Sequence, residues 1–511
     1  MKGLFDIRQN IRALPRNARD SLMRHGPVRS DRTRSQAVFS NFFLHVQSTR
    51  VHRHSLRPTT TFGLGLVSLI LFGILCATGA LLMVYYKPGV DQAYDSVKDI
   101  GFVVPTGRMM RNVHRWGAHG MVLVVLLHMA RVFYTGSYAG PRAFNWVLGM
   151  IALVLTLGLS FTGYLLPWDQ LAYWAITIGA NIAQSPREVT DALGLTQVFD
   201  AGGISKSLLL GSSTVGQEAL IRFYVLHIIV LPVALAIVCA VHLWRIRKDG
   251  GLNRPADVDR ELGPDVRNGR VIFPEGGGKT YALAALVEGR SPAVDRGPEH
   301  TVPSWPHLFN AEMLLLVLTT LAVLALGYFF DAPLKEMANA AVPENPAKAP
   351  WYFLGLQELV SYSAFSGGIL IPTMVLVGLM LIPYLDRETE GSGRWFAGAR
   401  GRRVALASGL FSALFIAGLL WFTVQKGWLR NWFPDIPQLA ITVLNPGTVI
   451  VAVFAAWSLW AVRRTGSTRL GAIALFTCFL VAFTILTYFA TVHRGPNWDF
   501  YWSQASWPEV H

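Results

Sequence analysis

Four histidines stand where metal chemistry inside a membrane would need them. His114 and His128 lie 14 residues apart in one apolar stretch, and His227 and His242 lie 15 apart in another. At 1.5 Å of rise per residue, each pair is separated by about 21–22.5 Å along its helix. Steps of about 100° leave fourteen residues roughly 40° short of whole turns and fifteen roughly 60° past them, so each pair shares one broad face. With both helices running the same way across the membrane, His114 is level with His227 and His128 with His242. The spacing predicts two stacked sites, each offering two imidazoles across a helix bundle. Imidazole is a common axial ligand of haem iron, and bundle interiors are common cofactor sites. The pattern points to two haems, each bis-histidine and held non-covalently. No Cys-x-x-Cys-His is present, and Cys76, Cys239 and Cys478 all fall inside apolar runs.

The neighbouring stretches must supply room and charge. Gly65 and Gly79 are 14 residues apart, as are Gly149 and Gly163. Small residues let another body approach the backbone closely, so these glycines are expected to make space for a flat macrocycle. Arg111, Arg115, Arg131 and Arg222 sit near the ends of the same stretches and suit haem propionates. His119 is out of phase with the pairs and reads as a helix–helix hydrogen-bonding residue.

The composition demands a membrane setting. Of 511 residues, 52% are hydrophobic and 15% charged, with a mean hydropathy of +0.38, whereas soluble chains carry about 25% charged residues. The apolar runs are Thr61–Tyr86, Gly117–Tyr134, Trp146–Leu166, Phe223–Trp244, Met313–Phe330, Gly368–Tyr384, Val404–Phe422, Ile441–Val462 and Ala472–Thr491. Most approach the roughly 20 residues a spanning helix requires. The expected fold is an all-α integral membrane protein, a four-helix dihaem-binding bundle followed by a block of about five transmembrane helices. Along the chain this gives a basic N-terminal tail (1–60), the dihaem core (61–248), a polar linker (249–306), a three-helix part (307–425) and two extra helices with an outer tail (426–511).

The net charge of +14 is explained without nucleic acid. With the N-terminus in the cytoplasm, the arginine-rich segments all fall on the cytoplasmic side, the bias of a bacterial inner-membrane protein. Part of the tail is suited to anionic lipid. Glu275–Thr280 ends like a phosphate-binding loop, but Phe273 stands where its first glycine is required. A haem-free transporter leaves the paired glycines unexplained. A dihaem anchor serving a peripheral oxidoreductase needs the histidines but not the two long aromatic outer connections, Pro167–Arg222 and Asp331–Gly367.

At these residues a family resemblance appears. Arg111-Asn112-Val113-His114-Arg115-Trp116-Gly117-Ala118 followed by His128 resembles the second helix of cytochrome b in the quinol:cytochrome c oxidoreductases. Gly163-Tyr164-Leu165-Leu166, Pro167-Trp168-Asp169-Gln170 and Arg222-Phe223-Tyr224 with His227 and His242 are similar to the plastid and Gram-positive branch, whose fourth-helix histidines are also 15 apart. The later helices resemble the part called subunit IV where the family's chain is split. Together the resemblance spans roughly residues 40–425.

The resemblance implies oxidation of quinol at the outer face, with one electron leaving to a Rieske-type iron–sulfur protein and thence to cytochrome c or an equivalent acceptor. The other electron crosses through the two b haems to quinone near the cytoplasmic face, and the reaction is coupled to proton translocation. It also implies a homodimer within a multisubunit complex, and the 15-residue spacing a menaquinone-type lineage. The outer pocket is expected at Tyr164, Pro167, Trp168, Asp169, Trp351 and Tyr352, and the inner one at His45, Arg50 and Arg247, where histidine suits proton delivery.

Three departures matter. The family's Pro-Glu-Trp-Tyr is Ala349-Pro350-Trp351-Tyr352 here, so its proton-accepting glutamate is missing, and Glu358, Asp169 and Glu344 are the candidates to replace it. Gly63 stands where the plastid branch attaches an extra haem through cysteine. The C-terminal helices and the tail Arg494-Gly495-Pro496-Asn497-Trp498 exceed the family's seven or eight helices and have no role readable from the sequence.

Overall fold

The computed structural model describes residues 12–13, 15–16, 31–41, 44, 47–255, 257–258, 266–267, 270–271 and 300–508. His45 and Gly276–Gly278 lie outside the described residues. Inside a bilayer every backbone N–H and C=O must be paired within the segment, which leaves the helix as the form for these apolar runs. Among the described residues nine helices are long and apolar enough to cross a membrane, and the all-α expectation holds.

In chain order the helices used below are α1 Leu64–Tyr85, α2 Gly107–Tyr134 and α3 Gly140–Tyr164, then α4 Gln170–Gln184. There follow α5 Gln217–Lys248 and α6 Ser304–Phe329, α7 Trp351–Tyr362, and α8 Ser366–Leu385, α9 Ala399–Trp432, α10 Pro446–Thr465 and α11 Thr468–Val492. Of these, α4 and α7 are short helices within the two long connections.

The chain forms two compact units, residues 1–63 with 243–317 and residues 64–242 with 318–511. In the first, Arg50–His52 pairs antiparallel with Thr301–Pro303. Arg50 stitches this ribbon by donating Nε to Thr301 Oγ1 at 2.8 Å and Nη2 to the Thr301 carbonyl at 3.0 Å. That arginine is therefore engaged in local structure. Arg247 lies in the last turn of α5, within the same unit.

In the second unit α1 packs along α2, and α2 along α3. The buried cluster Leu71, Val113, Met121, Leu235 and Val323 fills the space between α1, α2, α5 and α6. The later helices are organised around α11, against which α7, α9 and α10 all pack. Asn445 caps α10 by accepting from the Thr448 amide at 3.1 Å, with Pro446 at the first helical position. Gly466 (φ 70°) ends it in the left-handed region and Ser467 caps α11, so a tight turn makes the two helices an antiparallel pair.

The same helix ties the late block to the early one. Phe476 stacks on Phe133 of α2 with ring centres 4.1 Å apart, and Thr477 and Tyr134 share a 3.0 Å hydrogen bond. At its start, the fully buried Arg469 donates to Asp386 at 2.8 Å, and Tyr138 donates to the same carboxylate at 2.6 Å. The extra C-terminal segment is thus a central packing element of the late block.

Candidate functional site

The four histidines lie in α2 and α5 of the second unit, and the structure brings them together in two pairs. The rings of His114 and His227 face each other with centres 6.2 Å apart at 77°. Two imidazoles bound end-on to one ion at the roughly 2 Å metal–nitrogen distance put their ring centres about 6 Å apart. His128 and His242 are likewise within electrostatic reach of each other. The one-residue difference in spacing has a local cause. Leu226–Val230 is a π turn containing His227, and such a turn absorbs the extra residue that α5 carries between its histidines.

The glycines match the histidines one to one. A Cβ on Gly65 would lie 3.0 Å from His128 Cε1, and one on Gly79 would lie 3.2 Å from His114 Cε1. On Gly149 it would lie 3.7 Å from His242 Cε1. On Gly163 it would clash with His227 Cε1 and lie 3.0 Å from both ring nitrogens. The sequence expectation gave this space to a macrocycle. In the structure the cleared backbone lies against the imidazole rings that would hold it.

Hydrogen bonds settle which ring nitrogen is bare. His227 Nδ1 is 3.1 Å from the Leu159 carbonyl, which can only accept, so Nδ1 carries the proton. Thr162 Oγ1, 3.2 Å away, already donates to the Gly158 carbonyl and so accepts as well. Thr78 Oγ1 donates to Ile74 O at 2.8 Å and therefore accepts from His114 Nδ1 at 2.9 Å. Both imidazoles are left with an unprotonated Nε2, the form that binds a metal while its other nitrogen is held by an outer partner. The paired rings, their tautomers and the cleared backbone fit a bis-imidazole haem site.

A cavity of about 360 Å³ opens beside this pair. His114, His227, Gly79, Gly163, Arg111, Arg115, His119, Tyr164, Pro167 and Tyr352 all border it. Arg115 stacks its guanidinium on the Tyr164 ring at 5.3 Å. Arg111 donates to the Ala332 and Pro333 carbonyls at 2.8 and 2.6 Å, pinning the segment after α6 beside the start of α2. Arg108 first, and then Asn112, hydrogen-bond the Asp331 carboxylate and hold it down to about 2. Burial raises the Tyr352 phenol above its ordinary range, and that hydroxyl is bonded to Ser160. Trp351 reaches the cavity through His119, donating Nε1 to His119 Nδ1 at 3.1 Å.

Other expected residues shape the wall or lie elsewhere. Trp168 is buried at φ 53°, a left-handed conformation that costs a non-glycine residue roughly 1–2 kcal/mol. Asp169 caps α4 by accepting from the Ala172 amide at 2.9 Å, and its second oxygen accepts from the Lys335 amide at 3.0 Å. Arg222 donates to the Leu208 carbonyl at 2.5 Å rather than facing the cavity. Arg131 is buried near the far end of α2.

Glu358 is corrected most clearly. It is fully buried and does not border the cavity. Arg494 donates to it at 2.5 and 2.9 Å, Trp498 Nε1 at 3.0 Å and Tyr362 at 2.8 Å. A carboxylate held by four donors is not placed to take a substrate proton. Glu344 pairs with the half-exposed Lys335 at 3.1 Å and lies within electrostatic reach of Tyr164.

Comparison with known proteins agrees with this geometry. The family model described as Cytochrome b/b6/petB matches residues 52–250. Cytochrome b6 of Heliobacterium mobile is 43% identical over 187 residues, 37% of this chain and 82% of that protein. Cytochrome b6 of Prochlorococcus marinus (strain MIT 9515) is 41% identical over 187 residues, 37% of this chain and 80% of that one. Among solved structures, a chain titled "Hyperthermophilic respiratory Complex III" aligns over 84% of this chain and 91% of its own, with a TM-score of 0.53 and 23% identity. That last likeness is one of fold, and it extends into the late helices.

Proposed function

The chain belongs to the cytochrome b/b6 family, and from that premise we propose that it is the dihaem subunit of a quinol:cytochrome c oxidoreductase. As a family member it is a multi-pass membrane subunit of an electron-transferring oxidoreductase and carries b-type haem. The finer reading assigns one haem to His114 and His227 and a second to His128 and His242. Bound there, the haems supply one-electron transfer along the bundle axis. The observation that carries the proposal is the one-to-one facing of four glycines and four histidines in two level pairs.

The chain's own residues then have distinct tasks. Thr78, Thr162 and the Leu159 carbonyl orient the outer imidazoles, while Arg111, Arg115 and Arg131 balance propionate charge. Tyr164, Pro167, Trp351 and Tyr352 enclose quinol at the outer end, with Trp168 and Asp169 holding the loop that shapes the wall. Glu344 is the carboxylate we assign to receive a quinol proton. For quinone near the cytoplasmic face, Arg247 and His45 are the residues assigned. The reading includes an iron–sulfur protein and a cytochrome c or equivalent as electron acceptors, proton translocation, and a homodimeric complex. It also includes a bacterial inner membrane, a cytoplasmic N-terminus, and the division into core, linker and late helices at 248, 306 and 425. The test is reduction of the b-type absorption band by a naphthoquinol in membranes containing the chain. Reduction supports the reading, and a band that only dithionite reduces overturns it.

A further inference from the structure

We infer that His119 is a hydrogen-bond donor to an oxygen of the quinol or quinone bound beside α7, with its tautomer set by Trp351. This rests on the quinol-pocket reading above. His119 follows His114 by five residues, which turns it about 140° around α2 and moves it about 7.5 Å along the axis. It therefore serves a different part of the cavity from the metal-binding pair. An indole N–H can only donate, so the 3.1 Å contact from Trp351 Nε1 requires His119 Nδ1 to accept. The ring proton then sits on Nε2. A proton on Nδ1 would point at the Trp351 N–H.

The ring is fixed on both sides. Trp116 lies 5.5 Å away between ring centres, and Tyr352 meets it edge-on at 5.7 Å. No hydrogen bond reaches Nε2 among the described residues, although His119 borders the cavity. Of the neighbouring polar groups of this wall, the Trp351 N–H is taken by His119 itself, while the Tyr352 oxygen accepts from Ser160 and keeps its own O–H as a second donor for the same ligand. Pro350, adjoining them, has no N–H to offer. A flat ligand between aromatic walls with a carbonyl or hydroxyl oxygen at its edge satisfies this N–H, and a quinone or quinol has that form.

The experiment compares wild type, His119→Leu and His119→Gln in membranes, with 2,3-dimethyl-1,4-naphthoquinol as donor and the b band as readout. Loss of one hydrogen bond predicts that His119→Leu raises KM about tenfold with kcat within about twofold. Gln, whose amide both donates and accepts, is expected to restore most of the affinity. Haem content and midpoint potentials stay at wild-type values. An unchanged KM in His119→Leu overturns the inference, as does a shifted haem potential with unchanged KM, which would turn the N–H toward the cofactor. If His119→Leu loses haem, Trp351→Phe carries the test: it frees Nδ1 and is expected to raise KM several-fold, and an unchanged KM there overturns the inference. A wild-type band that quinol does not reduce removes the quinol reading and this inference together, a result distinct from any failure confined to the variants.

Discussion

Arg494, two residues beyond α11, grips both carboxylate oxygens of Glu358, at 2.5 and 2.9 Å, and closes α7 against the C-terminal helix. Trp498 from the same tail and Tyr362 complete the cage. Removing one partner of a buried ion pair leaves an uncompensated charge and typically costs about 3–5 kcal/mol. Arg494→Met is expected to lower the thermal unfolding midpoint clearly, whereas Arg494→Met with Glu358→Leu recovers most of it. Differential scanning fluorimetry of the detergent-solubilised protein reads both. A double variant as unstable as the single one would show that the pair is not the cause.

The glycines predict a graded series. Alanine at position 163 meets the His227 ring far inside ordinary contact distance, at 65 and 79 it meets its histidine at 3.0 and 3.2 Å, and at 149 it stays at 3.7 Å. Gly163→Ala should lose the haem shared by His114 and His227, Gly65→Ala and Gly79→Ala should shift band position and potential, and Gly149→Ala should be near neutral. Pyridine haemochrome stoichiometry with low-temperature spectra reads the series. Equal effects at 149 and 163 would break the link between backbone clearance and ligand placement.

Thr78 and Thr162 play unequal parts. Each ring has a backbone partner, Leu75 for His114 and Leu159 for His227, but the threonine contact is closer at His114, 2.9 Å to Thr78 against 3.2 Å from His227 to Thr162. Loss of an outer-sphere partner of a metal-bound histidine costs roughly 10–100-fold in affinity. Thr78→Val is expected to show that loss in haem retention during dilution, and Thr162→Val a smaller one.

Glu344→Gln keeps the side chain's shape but removes its proton-accepting charge and its pair with Lys335. Quinol-driven reduction of the b band is expected to slow about a hundredfold, the lower contribution of a positioned general base, at unchanged haem content. A wild-type rate would leave the proton to another group.

Much of this was legible in the sequence, and what was not has a common physical reason. Helical period and hydropathy are local properties, so the nine spans among the described residues and the level histidine pairs could be read from spacing alone. Glycine spacing announced close approach but not its object, because the facing ring comes from another helix. The role of the C-terminal tail was hidden because Arg494 and Glu358 are 136 residues apart. His119 looked incidental because Trp351, which fixes its tautomer, is 232 residues away. The π turn at His227 is itself local and could have been suspected from 15-residue spacing set against 14.

The most direct test of the central claim is a potentiometric titration of the b band in wild type, His227→Leu and His242→Leu. Two bis-imidazole sites predict two haems per chain titrating at separate potentials, with the first variant losing one component and the second losing the other. A single haem, or the loss of the same component in both variants, would contradict the stacked pair of sites on which the account rests.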